Sequence, residues 1–423
     1  MPLSRVRVPQ KAWFGDTELE LVFPSSWDVV YLGMSVEARP RLSHGAILQA
    51  FLQPIGMPPL SELAQGKRSA VIVFDDLTRP TRAYELVPYI LEQLHLGGVP
   101  EEGIRFLAAL GSHGAMNREE FAKKLGEEVL ERFPVYNHNA YENCTMLGTT
   151  SFGTPVSINS EFMSCDLKIG VGCILPHWTR GFGGGGKLLM PGLAHIDTIE
   201  ANHGGLIKSG ALKDGTLRTT LAPSVGWGRY DDNIMRFDIE EAVRMAGFNM
   251  IVNSIVNLRR ETTDLFVGDP IDAHVAGVKV AKEVYPTSKV PDADIVVANT
   301  FSKANESVIA LKVASQLLEK SSGDVVLIIN APDGQVTHYL RRGFGKTVGG
   351  RLWSPITKLP QGVRRLLVVS DYPDLAGWEM FAPVNQIIWK RNWREALDDL
   401  EANYGGRARV AILPDATIQY FNS

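Results

Sequence analysis

Cysteine is scarce in this chain of 423 residues, with Cys144, Cys165 and Cys173 as its three thiols. An odd number without C-x-x-C spacing argues against a disulfide framework or a zinc site and suits reduced thiols, so a cytoplasmic protein is expected. Long apolar runs are also missing. No segment approaches the roughly 18 uninterrupted apolar residues of a membrane span, and the start "MPLSRVRVPQKAWFGDTELELVFP" lacks the apolar core of a signal peptide. Neither sign of charge dominates: 43 Lys and Arg face 47 Asp and Glu, for a net charge of −4. Without a long basic run there is no electrostatic footprint for nucleic acid or an anionic membrane, and a small molecule is the expected partner.

Glycine, by contrast, is abundant, at 40 residues against a usual share of about 7%. The length exceeds the roughly 250–300 residues at which one hydrophobic core stops growing, so two domains are expected. Short apolar runs alternate with amphipathic stretches: "SAVIVFDD" leads to "RAYELVPYILEQLHLGG", and "GIRFLAALGSHG" to "NREEFAKKLGEEVLERF". That β-then-α rhythm predicts an α/β protein with mainly parallel, helix-covered sheets. "CDLKIGVGCILP", "NMIVNSIVN" and "TDLFVGD" follow, and a helix is predicted from Ile271 to Val284. "ADIVVANT", "GDVVLIINA", "RRLLVVSD" and "ARVAILPD" form a second series. The expected domains are 1–272, with 406–423 packing back on it, and 273–405, with an active-site cleft between them.

In an open parallel sheet, function collects at loops after the carboxyl ends of strands. The first such loop, "FDDLTRPT", offers Asp75, Asp76, Thr78 and Arg79. Asp76 or Thr78 could simply cap the next helix, with Pro80 in its first turn. Alternatively, Arg79 presents a bidentate guanidinium to a carboxylate while an aspartate orients a neighbour. The second loop, "ALGSHGAMNREE", sets His113 between glycines. A solvated loop histidine is the plain reading; a general acid/base is the functional one.

The third loop is "ILPHWTRGFGGGGKLLMPGLAHIDTIEANHGG". Gly181 to Lys187 fits the first seven positions of the phosphate-binding loop G-x-x-x-x-G-K-[ST], but Leu188 stands where a hydroxyl should hold Mg²⁺. Pro191 also arrives where that motif's helix should be under way. Gly183, Gly184, Gly185 and Gly186 leave room for something flat against the backbone beside Lys187, or else make a structural hairpin. Beyond them His203 falls at the end of a short helix stopped by Gly204-Gly205, where the dipole favours a cation. His195 reads as a packing residue. No complete zinc site is visible in the sequence.

"DDLTRP", "GSHG", "PHWTRGFGGGGK" and "EANHG", in that order, resemble the nickel-pincer-nucleotide-dependent lactate racemase family of 2-hydroxyacid racemases and epimerases. The resemblance implies a pyridinium mononucleotide, pyridinium-3-thioamide-5-thiocarboxylic acid mononucleotide, joined to Lys187 and holding nickel, with His203 as the protein's metal ligand. It implies His113 and His177 as alternating acid and base, Asp76 orienting a histidine, and Arg79 holding the substrate carboxylate. Cofactor-synthesis enzymes are then needed as partners for loading. Removing the C2 hydrogen as hydride leaves a planar keto acid, avoiding a very basic carbanion, and return on the other face inverts the centre. The family's second-domain lysine aligns with Lys312 in "ANESVIALKVA", while Ile309 replaces an expected glutamine, which argues against lactate itself as substrate. Trp353 aligns weakly with a family tryptophan over the substrate. The competing readings are a nicotinamide-dependent dehydrogenase, disfavoured by the lack of G-x-G-x-x-G after the first strand, and a non-catalytic hydroxyacid- or cofactor-binding protein.

Overall fold

The run Ala70–Phe74 becomes a strand whose five residues are all buried, as expected of a central parallel strand covered on both faces. It pairs in parallel with Ile104–Ala108 on one side and Leu167–Cys173 on the other. The resulting six-stranded sheet runs Thr262–Gly268, Met250–Val256, Leu167–Cys173, Ala70–Phe74, Ile104–Ala108, Val135–Asn137. Only Thr262–Gly268 is antiparallel to its neighbour. Helices include Ala83–Leu96, Arg118–Leu125 and Ile234–Ala246. The computed structural model describes residues 5–205, 208–211, 217–220, 222–319, 321–340 and 358–422. Trp353 lies outside them.

A second six-stranded sheet runs Ile387–Lys390, Val363–Val369, Gly323–Ile329, Ile295–Thr300, Arg409–Leu413, Asp28–Tyr31. All five pairings are parallel. Its core joins Val297, Ile328, Leu367 and Ile412 to Val8, Leu21 and Trp27 from the chain's start. The chain thus divides into a larger unit, built on Ala38–Glu283 and the segment from Thr337, and a smaller one. The smaller unit takes the start of the chain to Glu37, Val284–Val336 and the end of the chain.

This division differs from the expected cut after residue 272. Arg409–Leu413 does not return to the first sheet: Val410 pairs with Ile295 and also with Val29, so the chain's end and its start complete the second sheet. A short strand such as Arg409–Leu413, continuously apolar after its first residue, carries no mark of which sheet it joins. The expected first helix also starts late. It spans Ala83–Leu96 with Pro88 inside it, and no side chain caps it at Arg82. Asp76 and Thr78 are engaged within their own loop, as described below, and Pro80 precedes the helix. Among the described residues, no helix is long and apolar enough to cross a membrane.

One buried polar link at the edge of the larger unit's sheet makes a testable acid sensitivity. His138, after the strand Val135–Asn137, donates from Nε2 to the Ala194 carbonyl at 3.0 Å and accepts at Nδ1 from Asn159 Nδ2 at 3.2 Å. Burial pushes its imidazole down to about 4, below the ordinary value of about 6.5. As pH falls through this window the unfolded chain takes up the proton first, so stability rises with pH there. Urea titrations should show a loss on the order of 3 kcal/mol from this group between pH 7 and pH 4. His138→Gln should flatten that slope; an equally steep profile in the variant would assign the acid sensitivity elsewhere.

Candidate active site

Three loops leave adjacent strands at one edge because the strands end in register: Phe74 pairs with Ala108 and with Val171. In the first loop Asp76 Oδ1 accepts the backbone N–H of Thr78 at 3.0 Å and also its hydroxyl. The other oxygen, Oδ2, lies 2.6 Å from His113 Nδ1 in the second loop. Burial alone would raise the Asp76 carboxyl, but His113, Arg79 and Thr78 outweigh it and hold the group well below the usual carboxylate range. A carboxylate at Nδ1 makes that nitrogen the donor, so neutral His113 keeps its lone pair on Nε2. This is the arrangement of an oriented base.

Arg79 is half-buried in the same loop and donates to the Thr78 carbonyl and hydroxyl, each at 2.8 Å. The aspartate-to-histidine contact expected of the first loop is present, while its capping role is not. The His113 loop is seated on the third loop. Gly111 has φ +56, donates its N–H to the Gly192 carbonyl at 2.8 Å, and would place a Cβ 3.2 Å from the Pro191 carbonyl oxygen. His338, which the sequence reading passed over, bridges His113 through an antiparallel backbone contact. Its ring stands edge-on to that of His113 with centroids 5.4 Å apart.

His177 opens a hairpin in which Pro176–His177 pairs with Arg180–Phe182. Its Nδ1 faces the backbone N–H groups of Thr179 at 3.2 Å and Arg180 at 3.3 Å. The Thr179 hydroxyl, held by Arg180 at 2.7 Å, lies 3.2 Å from the same nitrogen. Surrounded by donors, Nδ1 is an acceptor, and neutral His177 carries its proton on Nε2. The two histidines thus hold opposite tautomers. Arg180, itself buried, donates to Asn202 Oδ1 at 2.7 Å, and Asn202 Nδ2 donates to Asp238 at 2.6 Å. That chain ties the His177 hairpin to the turn Ala201–Gly205, which holds buried His203. His195 caps the preceding helix, accepting the Asp197 N–H at 3.2 Å, which agrees with its reading as a structural residue.

Gly185–Leu188 forms a single 3-10 turn, not the long helix of a phosphate-binding loop. The glycines meet a requirement of the protein itself. A Cβ on Gly184 would lie 2.7 Å from Asn253 Oδ1, on Gly185 2.6 Å from the His274 ring, and on Gly186 2.6 Å from Val243. Gly184 and Gly185 also have φ of +77 and +57, where side chains are strained. At Gly183 the nearest atom would be 3.5 Å away, so that position has ordinary space. Asn253 accepts the Gly185 N–H at 2.6 Å. Buried His274 donates from Nε2 to the Gly183 carbonyl at 2.8 Å while its Nδ1 faces the Tyr230 hydroxyl at 2.9 Å. Burial, then Arg236, push its imidazole well below the ordinary value. Lys187 emerges half-buried from this bed.

Asn253 and His274 were missed by the sequence reading. The signals were present: Asn253 interrupts the apolar strand Met250–Val256, and His274 sits in the helix Asp272–Val284. Lys312 and Ile309 belong to the helix Val308–Ser315 of the smaller unit, Lys312 partly exposed and Ile309 buried. Among the described residues no three His, Cys, Asp or Glu side chains gather as a metal site. The thiols are poorly suited to nucleophilic work, since burial pushes Cys144 and Cys173 each up to about 11.

Residues 14–215 match the family described as the lactate racemase N-terminal domain. The chain is 31% identical over 289 residues to a lactate racemase of Lactiplantibacillus plantarum, covering 66% of this chain and 64% of that protein. It is 28% identical over 294 residues to a lactate racemase of Thermoanaerobacterium thermosaccharolyticum, covering 68% and 66%. The alignments therefore span just under two thirds of these relatives. The fold is similar to that of the lactate racemase apoprotein from Thermoanaerobacterium thermosaccharolyticum, with a TM-score of 0.71 at 21% identity over 99% of this chain and 100% of that one. A protein from Thermotoga maritima shares it with a TM-score of 0.62 at 17% identity, over 90% and 98% of the two chains.

The packing under the glycine turn gives a direct test. Gly185→Ala should destabilise the protein by roughly 1–3 kcal/mol, from positive φ and from the clash with His274. Adding His274→Ala should recover the steric part, measured as a coupling energy in a double-mutant cycle by denaturant unfolding. Strict additivity would mean that the turn does not rest on His274.

Proposed function

We propose that this chain, whose residues 14–215 match the lactate racemase N-terminal domain, is a member of that family and inverts the C2 centre of a 2-hydroxyacid. The observation that carries this reading is the Asp76–His113 pair at 2.6 Å, with a half-buried arginine in the same loop as Asp76. A dehydrogenase needs one proton carrier. Two histidines of opposite tautomer suit a reaction whose hydroxyl proton leaves on one side and returns on the other.

In this proposal Arg79 holds the substrate carboxylate through its planar fork. His113 Nε2 receives the hydroxyl proton, and the Asp76 carboxylate stabilises the imidazolium that results. His177 serves the opposite enantiomer. Because its Nδ1 faces donors, taking up a proton there requires the Thr179 hydroxyl to turn and accept, so the two acid/base groups are not equivalent.

Lys187 and His203 are the residues that would hold a nickel-pincer nucleotide, Lys187 by covalent attachment and His203 as metal ligand. The donor set fits such a group. His203 is buried in the turn Ala201–Gly205, and an imidazole is a suitable nickel ligand. When bound, the group would supply the acceptor for the hydride. Loading would require the cofactor-synthesis enzymes. Lys312 remains a proposed substrate-binding residue, and Ile309, standing where a glutamine is expected, is the ground for proposing a substrate other than lactate.

His113→Ala and His177→Ala in loaded protein should each lower turnover by 10² or more, given the usual weight of general acid/base groups. Two variants that keep wild-type rates would overturn the two-base reading. Intact mass and metal analysis of protein made with the cofactor-synthesis enzymes should show added mass at Lys187 and nickel, with the added mass absent in Lys187→Ala. Enantiopure hydroxyacids of graded chain length should rank above lactate; brisk lactate turnover would contradict the role given to Ile309.

A further inference from the structure

The first loop contains two adjacent aspartates, and only one of them faces a histidine. Asp75 turns inward to the Lys124 ammonium at 2.6 Å, and Lys124 is fully buried. Lys124 Nζ also donates to the carbonyls of Arg79 at 3.0 Å and Thr81 at 2.8 Å. An ammonium has three N–H bonds, which these three acceptors match. The second Asp75 oxygen accepts the Thr81 hydroxyl at 2.6 Å. The two bonded carbonyls flank Pro80, whose nitrogen has no hydrogen to give.

We propose that Lys124 is a positioning residue, which holds the Arg79 backbone so that its guanidinium keeps a fixed place relative to the Asp76–His113 pair. The proposal rests on the racemase reading for its kinetic consequence. Lys124 lies in the last turn of the helix Arg118–Leu125, the element that follows the His113 loop and is fixed at its start by an Asn117–Glu120 capping box. The clamp therefore connects the segment leading away from His113 to the segment carrying Arg79. Burying both charges is costly: it pushes the Asp75 carboxyl up and the Lys124 amine down, against their mutual attraction. An apolar pair of similar volume often serves stability as well or better, so stability alone does not account for a lysine here.

The test compares Lys124→Met with the double variant Asp75→Asn/Lys124→Met. The single variant leaves a carboxylate buried beside an apolar chain and should lower Tm; the double variant removes that charge and should recover most of the loss. If Lys124 positions Arg79, both variants keep a KM for the hydroxyacid raised at least tenfold, with a smaller change in kcat. Amide hydrogen exchange over residues 76–82, read without substrate, should be faster in both. A double variant with restored Tm, wild-type KM and wild-type exchange would overturn the proposal. Wild-type protein shown by mass and metal analysis to be loaded, yet turning over no hydroxyacid, would overturn the racemase reading, and the exchange measurement would still decide the clamp.

Discussion

The candidate site depends first on strand register. Parallel pairing brings Phe74, Ala108 and Val171 level, so the loops after the strands Ala70–Phe74, Ile104–Ala108 and Leu167–Cys173 start from one edge. A shift of one residue would turn every side chain to the opposite face. The three loops then bond to one another, Asp76 to His113 and Gly111 to Gly192, and Lys124 of the following helix bonds to Arg79 and Thr81. Short polar contacts across loops do here what a continuous hydrophobic face does for helices.

Much of this was legible in the sequence, and the reasons are specific. The β-then-α rhythm gives the parallel sheets because a strand covered on both faces must be continuously apolar, as Ala70–Phe74 is. Asp76, Arg79, His113 and His177 stand out because polar residues directly after such strands have few structural duties. His195 could be set aside, and it is a cap. What was not legible is long-range. Nothing local in "ARVAILPD" says that Arg409–Leu413 pairs with Ile295–Thr300 and Asp28–Tyr31, and nothing in "REEFAKKL" marks Lys124 as the buried lysine beside half-buried Lys123.

The glycine run shows how a correct motif can carry an incomplete reason. From sequence alone, four glycines suggest an open bed for a ligand. In the fold, Gly184, Gly185 and Gly186 face Asn253, His274 and Val243, so side chains are excluded on the protein's side. The two accounts are compatible, since a backbone pressed against the protein on one face can still present its other face outward. The turn is rigid because His274, held neutral by burial and by Arg236, fixes the Gly183 carbonyl.

The opposite tautomers of His113 and His177 give the resting protein a hand of its own. Under the proposed reading, one outer nitrogen would offer a lone pair and the other an N–H, so two mirror-image substrates would meet different partners before any bond breaks. A neutral imidazole that gave up its one proton would be left as an anion, so His177 must first take a second proton to act as an acid, and the pair would exchange protons with solvent between passages. Equilibrium forbids this asymmetry from favouring one product: for a true racemisation, kcat/KM must be equal in the two directions. The handedness of the site can therefore appear only in kcat and KM taken separately, where a faster turnover in one direction is matched by weaker apparent binding.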